Sequence, residues 1–136
     1  MADPPAFVLD TSAIIAVLRN EPERPLVVSV LETARASGAR VQVPFLVLME
    51  VEYLLLREHA PADVDGYLGL VSNWPVSIVE SSLEWRRAAA AVKAAGNISV
   101  VDAWVAALGL LTDAEVLHKD RQFEGVSGLN EKDIRR

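Results

Sequence analysis

The chain has 136 residues, enough for one domain with one sizeable core, and its 51% hydrophobic content excludes a disordered chain. It has no cysteine, which excludes disulfides, Cys-ligated zinc and a thiol nucleophile, and its two histidines, His59 and His118, leave little scope for a His-based metal site. The formal net charge of −6 argues against a general nucleic-acid coat, which is usually basic, but not against an enzyme that meets nucleic acid through bound cations.

The lead-in Met1-Ala2-Asp3-Pro4-Pro5 is acidic and proline-bearing, unlike a secretory leader. The longest apolar stretch, 45–56, has 12 residues and two glutamates, too short to span a bilayer. A soluble cytoplasmic protein with no membrane contact is expected.

Residues 6–9 read as a short buried strand ending in Asp10, with a helix over 11–19 stopped near Asn20-Glu21-Pro22. Pro25 suits a helix first turn, and 26–37 carries a helical stripe of Leu26, Val27, Val30, Leu31 and Ala34 closed by Gly38. Residues 40–43 form a second strand, and 45–58 a helix apolar on almost every face, which must be buried or packed on a partner. Pro61 opens a helix to about 72, Trp74-Pro75 breaks it, and 76–79 is a third strand. Ser81 or Ser82 caps a helix over 83–95, and Ser99 caps another through 111. Residues 112–114 form a turn, 115–118 a fourth strand, and the polar tail has room for one more. Strands alternating with helices predict an α/β fold: a three-layer α/β/α sandwich with a mostly parallel sheet of four to five strands, as a single domain over 1–136.

Four acids need explaining. Asp10 follows a strand, where ligands of open α/β sheets sit, yet an aspartate there also suits a helix cap. Glu50 and Glu52 lie in the greasy helix and point to different faces, about 200° apart. One can face solvent; the other is buried and needs a partner, for which Arg57 is the ordinary choice. Asp102 sits in Ser99-Val100-Val101-Asp102, a capping-box pattern that is sufficient on its own but is set in another apolar helix. Asp120 follows the fourth strand, where a charged exposed loop is the plain alternative. Asp113 is read as turn chemistry, because no strand ends there. Gathered together, four carboxylates would raise one another's pKa, and divalent cations on oxygen ligands would relieve that. They account for −4 of the −6, leaving −2 elsewhere.

At these places the chain resembles the PIN-domain nucleases, most closely the VapC-like toxins of type II toxin–antitoxin pairs. The matching pieces are Val8-Leu9-Asp10-Thr11-Ser12, Val47-Leu48-Met49-Glu50-Val51 with Tyr53, Ile98-Ser99-Val100-Val101-Asp102-Ala103, and His118-Lys119-Asp120-Arg121-Gln122-Phe123. The resemblance covers nearly the whole chain. It implies a PIN-like fold in which Asp10, Glu50, Asp102 and Asp120 form one catalytic pocket holding Mg²⁺ or Mn²⁺. It favours Glu50 over Glu52, and makes Ser12 a pocket residue that orients a ligand or water. Many relatives carry Thr two before the last acid, where this chain has His118. The implied activity is endoribonuclease hydrolysis of RNA phosphodiesters, with Lys119 and Arg121 at hand for phosphates unless they are ordinary surface charge. The implied partners are a small antitoxin protein, which often inserts an Arg among the acids, and a second copy of the chain. The apolar surfaces of 26–36 and 45–56 would serve those contacts or else be internal core. A PIN nuclease of RNA maturation or flapped DNA, and an inactive PIN-like binding module, are the competing functions.

Overall fold

The structure, a computed structural model, describes residues 4–136; residues 1–3 of the lead-in lie outside the described residues. Five strands make one sheet: β1 (Ala6–Leu9), β2 (Arg40–Pro44), β3 (Ser77–Val79), β4 (Glu115–His118) and β5 (Glu131–Asp133). Six α-helices connect them: α1 (Thr11–Leu18), α2 (Arg24–Ser37), α3 (Phe45–Leu56), α4 (Pro61–Ser72), α5 (Leu83–Ala95) and α6 (Val100–Thr112). The strand order is β3-β2-β1-β4-β5, and every pairing is parallel. The expected α/β architecture therefore holds, with the sheet wholly rather than mostly parallel.

That order dictates where a ligand can sit. From β1 the chain moves outward through β2 to β3, then crosses back to place β4 on the other side of β1. Right-handed crossovers put the helices of these two excursions on opposite faces. α1 packs on α2 and α3, while α5 packs along α6. The strand order reverses at the β1/β4 seam, and a crevice opens beyond its carboxyl ends. Val8 pairs with Val116 and Leu9 with Leu117, and the ladder runs one step further, since the Asp10 amide donates to the Leu117 carbonyl at 3.1 Å. Asp10 thus leaves the sheet at the crevice with its backbone fixed.

The central strands are buried on both faces. Val8, Leu9, Val41, Val43, Val116 and Leu117 are core residues, as expected where helices cover both sides of a parallel sheet. The polar exception on β2, Gln42, is buried, and its Nε2 donates to Thr112 Oγ1 at 2.9 Å.

Local signals set the helix ends. Gly38 closes α2 at φ +76°, a left-handed position that favours glycine. Asp113 closes α6 at φ 50°, in keeping with its reading as turn chemistry. Ser82 rather than Ser81 caps α5, accepting from the Trp85 amide. Several boundaries moved: α1 ends at Leu18, α2 begins at Arg24 with Pro25 in its first turn, β2 reaches Pro44, α3 ends at Leu56 rather than residue 58, Val76 stays outside β3, and α6 runs to Thr112. The α2 stripe is spent inside the fold, with Val27, Leu31 and Ala34 buried. On α3, Val47, Val51 and Leu55 are buried, but Met49 and Leu56 are 52% and 44% exposed. Among the described residues no single helix is long and apolar enough to cross a membrane; α5 and α6 pass that test only as a pair bent by 118°.

Candidate active site

The crevice beyond β1 and β4 is a pocket of about 510 Å³. Its lining includes all four acids named from the sequence, Asp10, Glu50, Asp102 and Asp120, together with Ser12. They come from four different segments. Asp10 ends β1, Glu50 lies mid-way along α3, Asp102 is in the first turn of α6, and Asp120 follows β4. Glu52 is exposed on α3 and does not line the pocket.

An aromatic cluster holds α3 against α6. Phe45 meets the rings of Trp85 and Trp104 edge-on, at 5.7 and 5.8 Å between centroids, and the two tryptophans meet at 4.9 Å. Trp85 Nε1 donates to the Trp104 carbonyl at 2.8 Å. Such edge-to-face contacts fix orientation as well as burying area. Phe45 stands five residues before Glu50, and Trp104 two after Asp102, so the cluster sets the distance between two walls of the pocket.

Asp10 occupies the N-cap position of α1, yet its side chain makes no cap hydrogen bond. Its Oδ2 accepts from Ser12 Oγ at 2.9 Å, and its Oδ1 is buried with no hydrogen-bond partner. Ser99 does cap α6, accepting from the Asp102 amide at 3.2 Å. The reciprocal half of a capping box is missing: the Ser99 amide donates to Gln122 Oε1 at 2.8 Å, so the Asp102 carboxylate is free for the pocket. Asp120 is partly committed, accepting from the Gln122 amide at 2.9 Å. Arg57 pairs with neither α3 glutamate among the described residues; its guanidinium lies over the Tyr53 ring, 4.9 Å from the centroid. Glu50 instead accepts from the Tyr53 hydroxyl at 3.3 Å.

Electrostatics mark the site. Burial pushes Asp10 up to about 6, against the pull of the Ser12 hydroxyl, and Glu50 adds repulsion. Asp102 is pushed up to about 8, first by burial, then by the charge of Asp10 and by a proton-requiring hydrogen bond with Asp120. Two buried carboxylates held this far above their ordinary range are poised to exchange a proton for a cation.

The donor set suits a hard divalent ion, being all oxygen, and the unpartnered Asp10 Oδ1 is the kind of buried lone pair a cation satisfies. Among the described residues, no three His, Asp or Glu side chains stand close enough to form a ready-made cage. The acids share a pocket, but a single ion would have to draw them inward.

Ser12 has a specific duty in this arrangement. It donates to Asp10 and accepts from the Lys119 amide at 3.0 Å, tying the end of β1 to the end of β4. Lys119 is not available for phosphates, since its ammonium is clamped between Glu21 at 2.9 Å and Glu23 at 2.6 Å. Arg121 makes no ion pair among the described residues. Sequence reasoning missed Gln122 as a wall of the pocket, and nothing in its local sequence marks it. Tyr53 stood out only within a family pattern, although its place three residues after Glu50 puts both on one helix face.

A PIN-domain family model matches residues 7–129 of the chain. No curated protein sequence matches it. Among solved structures, VapBC2 from Rickettsia felis, bound to a DNA fragment from its promoter, is similar with a TM-score of 0.79 at 14% identity, covering 93% of this chain and 97% of that one. DNA-bound VapBC from Salmonella typhimurium is similar with a TM-score of 0.77 at 20% identity, covering 96% and 98%. VapC20 from Mycobacterium tuberculosis, described as a Sarcin-Ricin loop cleaving toxin, is similar with a TM-score of 0.69 at 16% identity, covering 90% and 95%. At these identities the structures speak to the fold, while the family model spans the two strand ends and two helices that carry the acids. The chain belongs to the PIN-domain family.

Proposed function

We propose that this chain is a divalent-metal-dependent endoribonuclease, the toxin of a toxin–antitoxin pair, acting as one PIN unit in the cytoplasm. The observation that carries this reading is the convergence of Asp10, Glu50, Asp102 and Asp120 at the β1/β4 seam, where burial and neighbouring carboxylates raise the pKa of Asp10 and Asp102. The similarity to VapBC complexes and to an RNA-cleaving VapC supports the toxin side of it.

Asp10, Glu50 and Asp102 are the residues that would hold Mg²⁺ or Mn²⁺, with Asp120 completing the acidic wall. Held there, such an ion would lower the pKa of a bound water toward neutrality. Ser12 keeps Asp10 turned into the pocket. Asp120 lines the pocket with Asp102 and adds to the negative charge that a cation would offset. Arg121 is the cation left to meet the RNA backbone, which electrostatics favours for a planar guanidinium. The antitoxin would shut the pocket, and Met49 and Leu56 on α3 offer exposed apolar surface for it or for a second copy of the chain.

The test is RNA cleavage in Mg²⁺ or Mn²⁺, its loss in EDTA, and its loss in Asp10→Asn and Asp102→Asn variants that keep their circular dichroism. Growth arrest on expression, relieved by the small protein encoded next to it, tests the toxin role. A second reading, a PIN-like binding module without catalysis, draws on the lack of a ready-made cage among the described residues. Calorimetric titration with Mn²⁺ separates the two: heat that disappears in Glu50→Gln supports the nuclease, and no heat in the parent protein supports the module.

A further inference from the structure

A second cavity lies directly beside the acidic pocket. It measures about 540 Å³ and is walled by α5, the start of the α6 loop, the end of α6 and the 3-10 turn Arg121–Gly125. Its apolar walls are Val92, Ile98, Leu110 and Val126. Its polar side chains are few and sit among them: the Asn97 and Gln122 carboxamides, the Ser127 hydroxyl and the Arg121 guanidinium.

Three facts tie this cavity to the acids. Gln122 lines both spaces, and the Ser99 amide bonded to its Oε1 holds it there. Ile98 faces the cavity while Ser99 faces the pocket, one residue step of about 3.8 Å along the chain. Arg121 lines the cavity while Asp120 lines the pocket, again one step apart. Two spaces sharing so thin a partition can take two parts of one nucleotide.

Their chemistry differs as those parts differ. The pocket is acidic and wants a cation with a phosphate on it. The cavity carries no acidic side chain in its lining, and its one ionisable group is the cation Arg121. An apolar slot with carboxamides at its rim matches a nucleobase, which has flat apolar faces and hydrogen-bonding edges. The guanidinium then meets the sugar-phosphate backbone or stacks on the base.

We propose that this cavity is a nucleobase subsite, which seats a base of the RNA next to the bond being cut and gives the enzyme its nucleotide preference, with Asn97 and Gln122 reading the base edge. This rests on the nuclease reading above and deepens it.

Ala91 is exposed at the rim of the cavity, so Ala91→Trp fills the space without disturbing the core. Asn97→Ala, also exposed, removes an edge-reading group without adding bulk. Binding of fluorescein-labelled rA6, rC6, rG6 and rU6 is measured by anisotropy with Mn²⁺, in an Asp102→Asn background if the RNAs are cut. The parent protein should prefer one of the four. Ala91→Trp should weaken that one at least about tenfold, the loss expected when a base-sized apolar contact goes, and Asn97→Ala should flatten the preference. The Mn²⁺ titration heat of both variants, made in the chain carrying Asp102, should match the parent. If both variants bind all four RNAs as the parent does, the subsite is wrong while the nuclease reading stands. If Ala91→Trp weakens antitoxin binding but not RNA binding, the cavity belongs to the protein partner and the subsite is again wrong. If Ala91→Trp does not fold, Asn97→Ala decides by the same measure. If the parent neither binds nor cuts RNA, the nuclease reading itself falls.

Discussion

His118 Nδ1 accepts a hydrogen bond from the Asp120 amide at 2.9 Å, and the imidazole is fully buried. A nitrogen that accepts from an N–H cannot carry a proton itself, so the hydrogen sits on Nε2, which is paired with the Glu131 carboxylate. The Phe123 ring packs against the imidazole at 4.6 Å. His118 therefore fastens the backbone of the last acid to β5, from the position two residues before that acid. Replacing it by Leu keeps the bulk but leaves the Asp120 amide and the Glu131 carboxylate without their partner. The expected loss is about 2–3 kcal/mol, from two groups orphaned in a largely buried setting. Urea denaturation of His118→Leu against the parent measures it. A midpoint unchanged within error would mean the histidine is mere filling.

The distinction between legible and illegible residues follows from what sequence encodes locally. Periodicity and stop signals placed the six helices and the first four strands, because Gly38, Pro61 and Asp113 act through their own backbone and the Ser82 hydroxyl caps the helix that starts beside it. That Glu50 and not Glu52 faces the pocket accords with the family pattern, while the helix spacing alone left either one open. The fate of Lys119 was not. Its partners Glu21 and Glu23 are almost a hundred residues away, and only the β1/β4 pairing brings them near. The same holds for Gln122, which becomes a wall of the pocket only because the turn after β4 folds back on the start of α6. The missing half of the Ser99–Asp102 capping box was invisible for that reason too: a distant side chain took the place of the local one.

Ser12 should act on Asp10 rather than directly on substrate. Its hydroxyl bridges Asp10 Oδ2 and the Lys119 amide. Ser12→Ala removes the bond that holds the Asp10 carboxyl down and leaves that amide unpaired. Asp10 should then titrate above 6. Stability should fall by about 1–2 kcal/mol. Mn²⁺ affinity at pH 6 should weaken, with the deficit narrowing at pH 8 where the carboxyl ionises anyway. Calorimetry at the two pH values reads this; an equal deficit at both would point to lost geometry alone.

Gly109 marks the closest approach of α6 to the sheet. A Cβ there would stand 2.7 Å from Val116 Cγ2 and 3.0 Å from Leu129 Cδ1. Helix propensity alone makes Gly→Ala favourable by about 1 kcal/mol. Overpacking a buried seam costs about 1–3 kcal/mol. Val116 is on a central strand with no exposure, so the helix must move instead. Gly109→Ala should therefore lower stability on balance, by about 1 kcal/mol, and displace Asp102 with α6. Thermal unfolding checks the first consequence and Mn²⁺ affinity the second. A more stable variant would mean the α6–β4 seam is looser than its distances indicate.

The raised carboxyls of Asp10 and Asp102 make stability depend on pH in a definite direction. Each holds its proton in the folded chain up to about 6 and about 8, while the unfolded chain releases it near 3.8. Between those limits the folded state binds more protons than the unfolded one, so stability falls as pH rises. It is highest below 3.8 as far as these two groups are concerned, and the loss is complete only above about 8. Asp102→Asn removes the larger share, because an amide never has to ionise. The metal-free variant should gain little over the parent at pH 4 and on the order of a few kcal/mol at pH 8, since each pKa unit is worth about 1.4 kcal/mol before coupling to Asp10 is discounted. Adding Mn²⁺ at pH 8 should reverse the ranking, because the parent exchanges its unfavourable charges for a bound ion and the variant does not. Thermal melts with and without Mn²⁺ at the two pH values supply all four numbers. A parent protein whose melting temperature ignores both pH and Mn²⁺ would show that Asp10 and Asp102 are stabilised by something other than an ion, and would leave the acidic pocket without its proposed ligand.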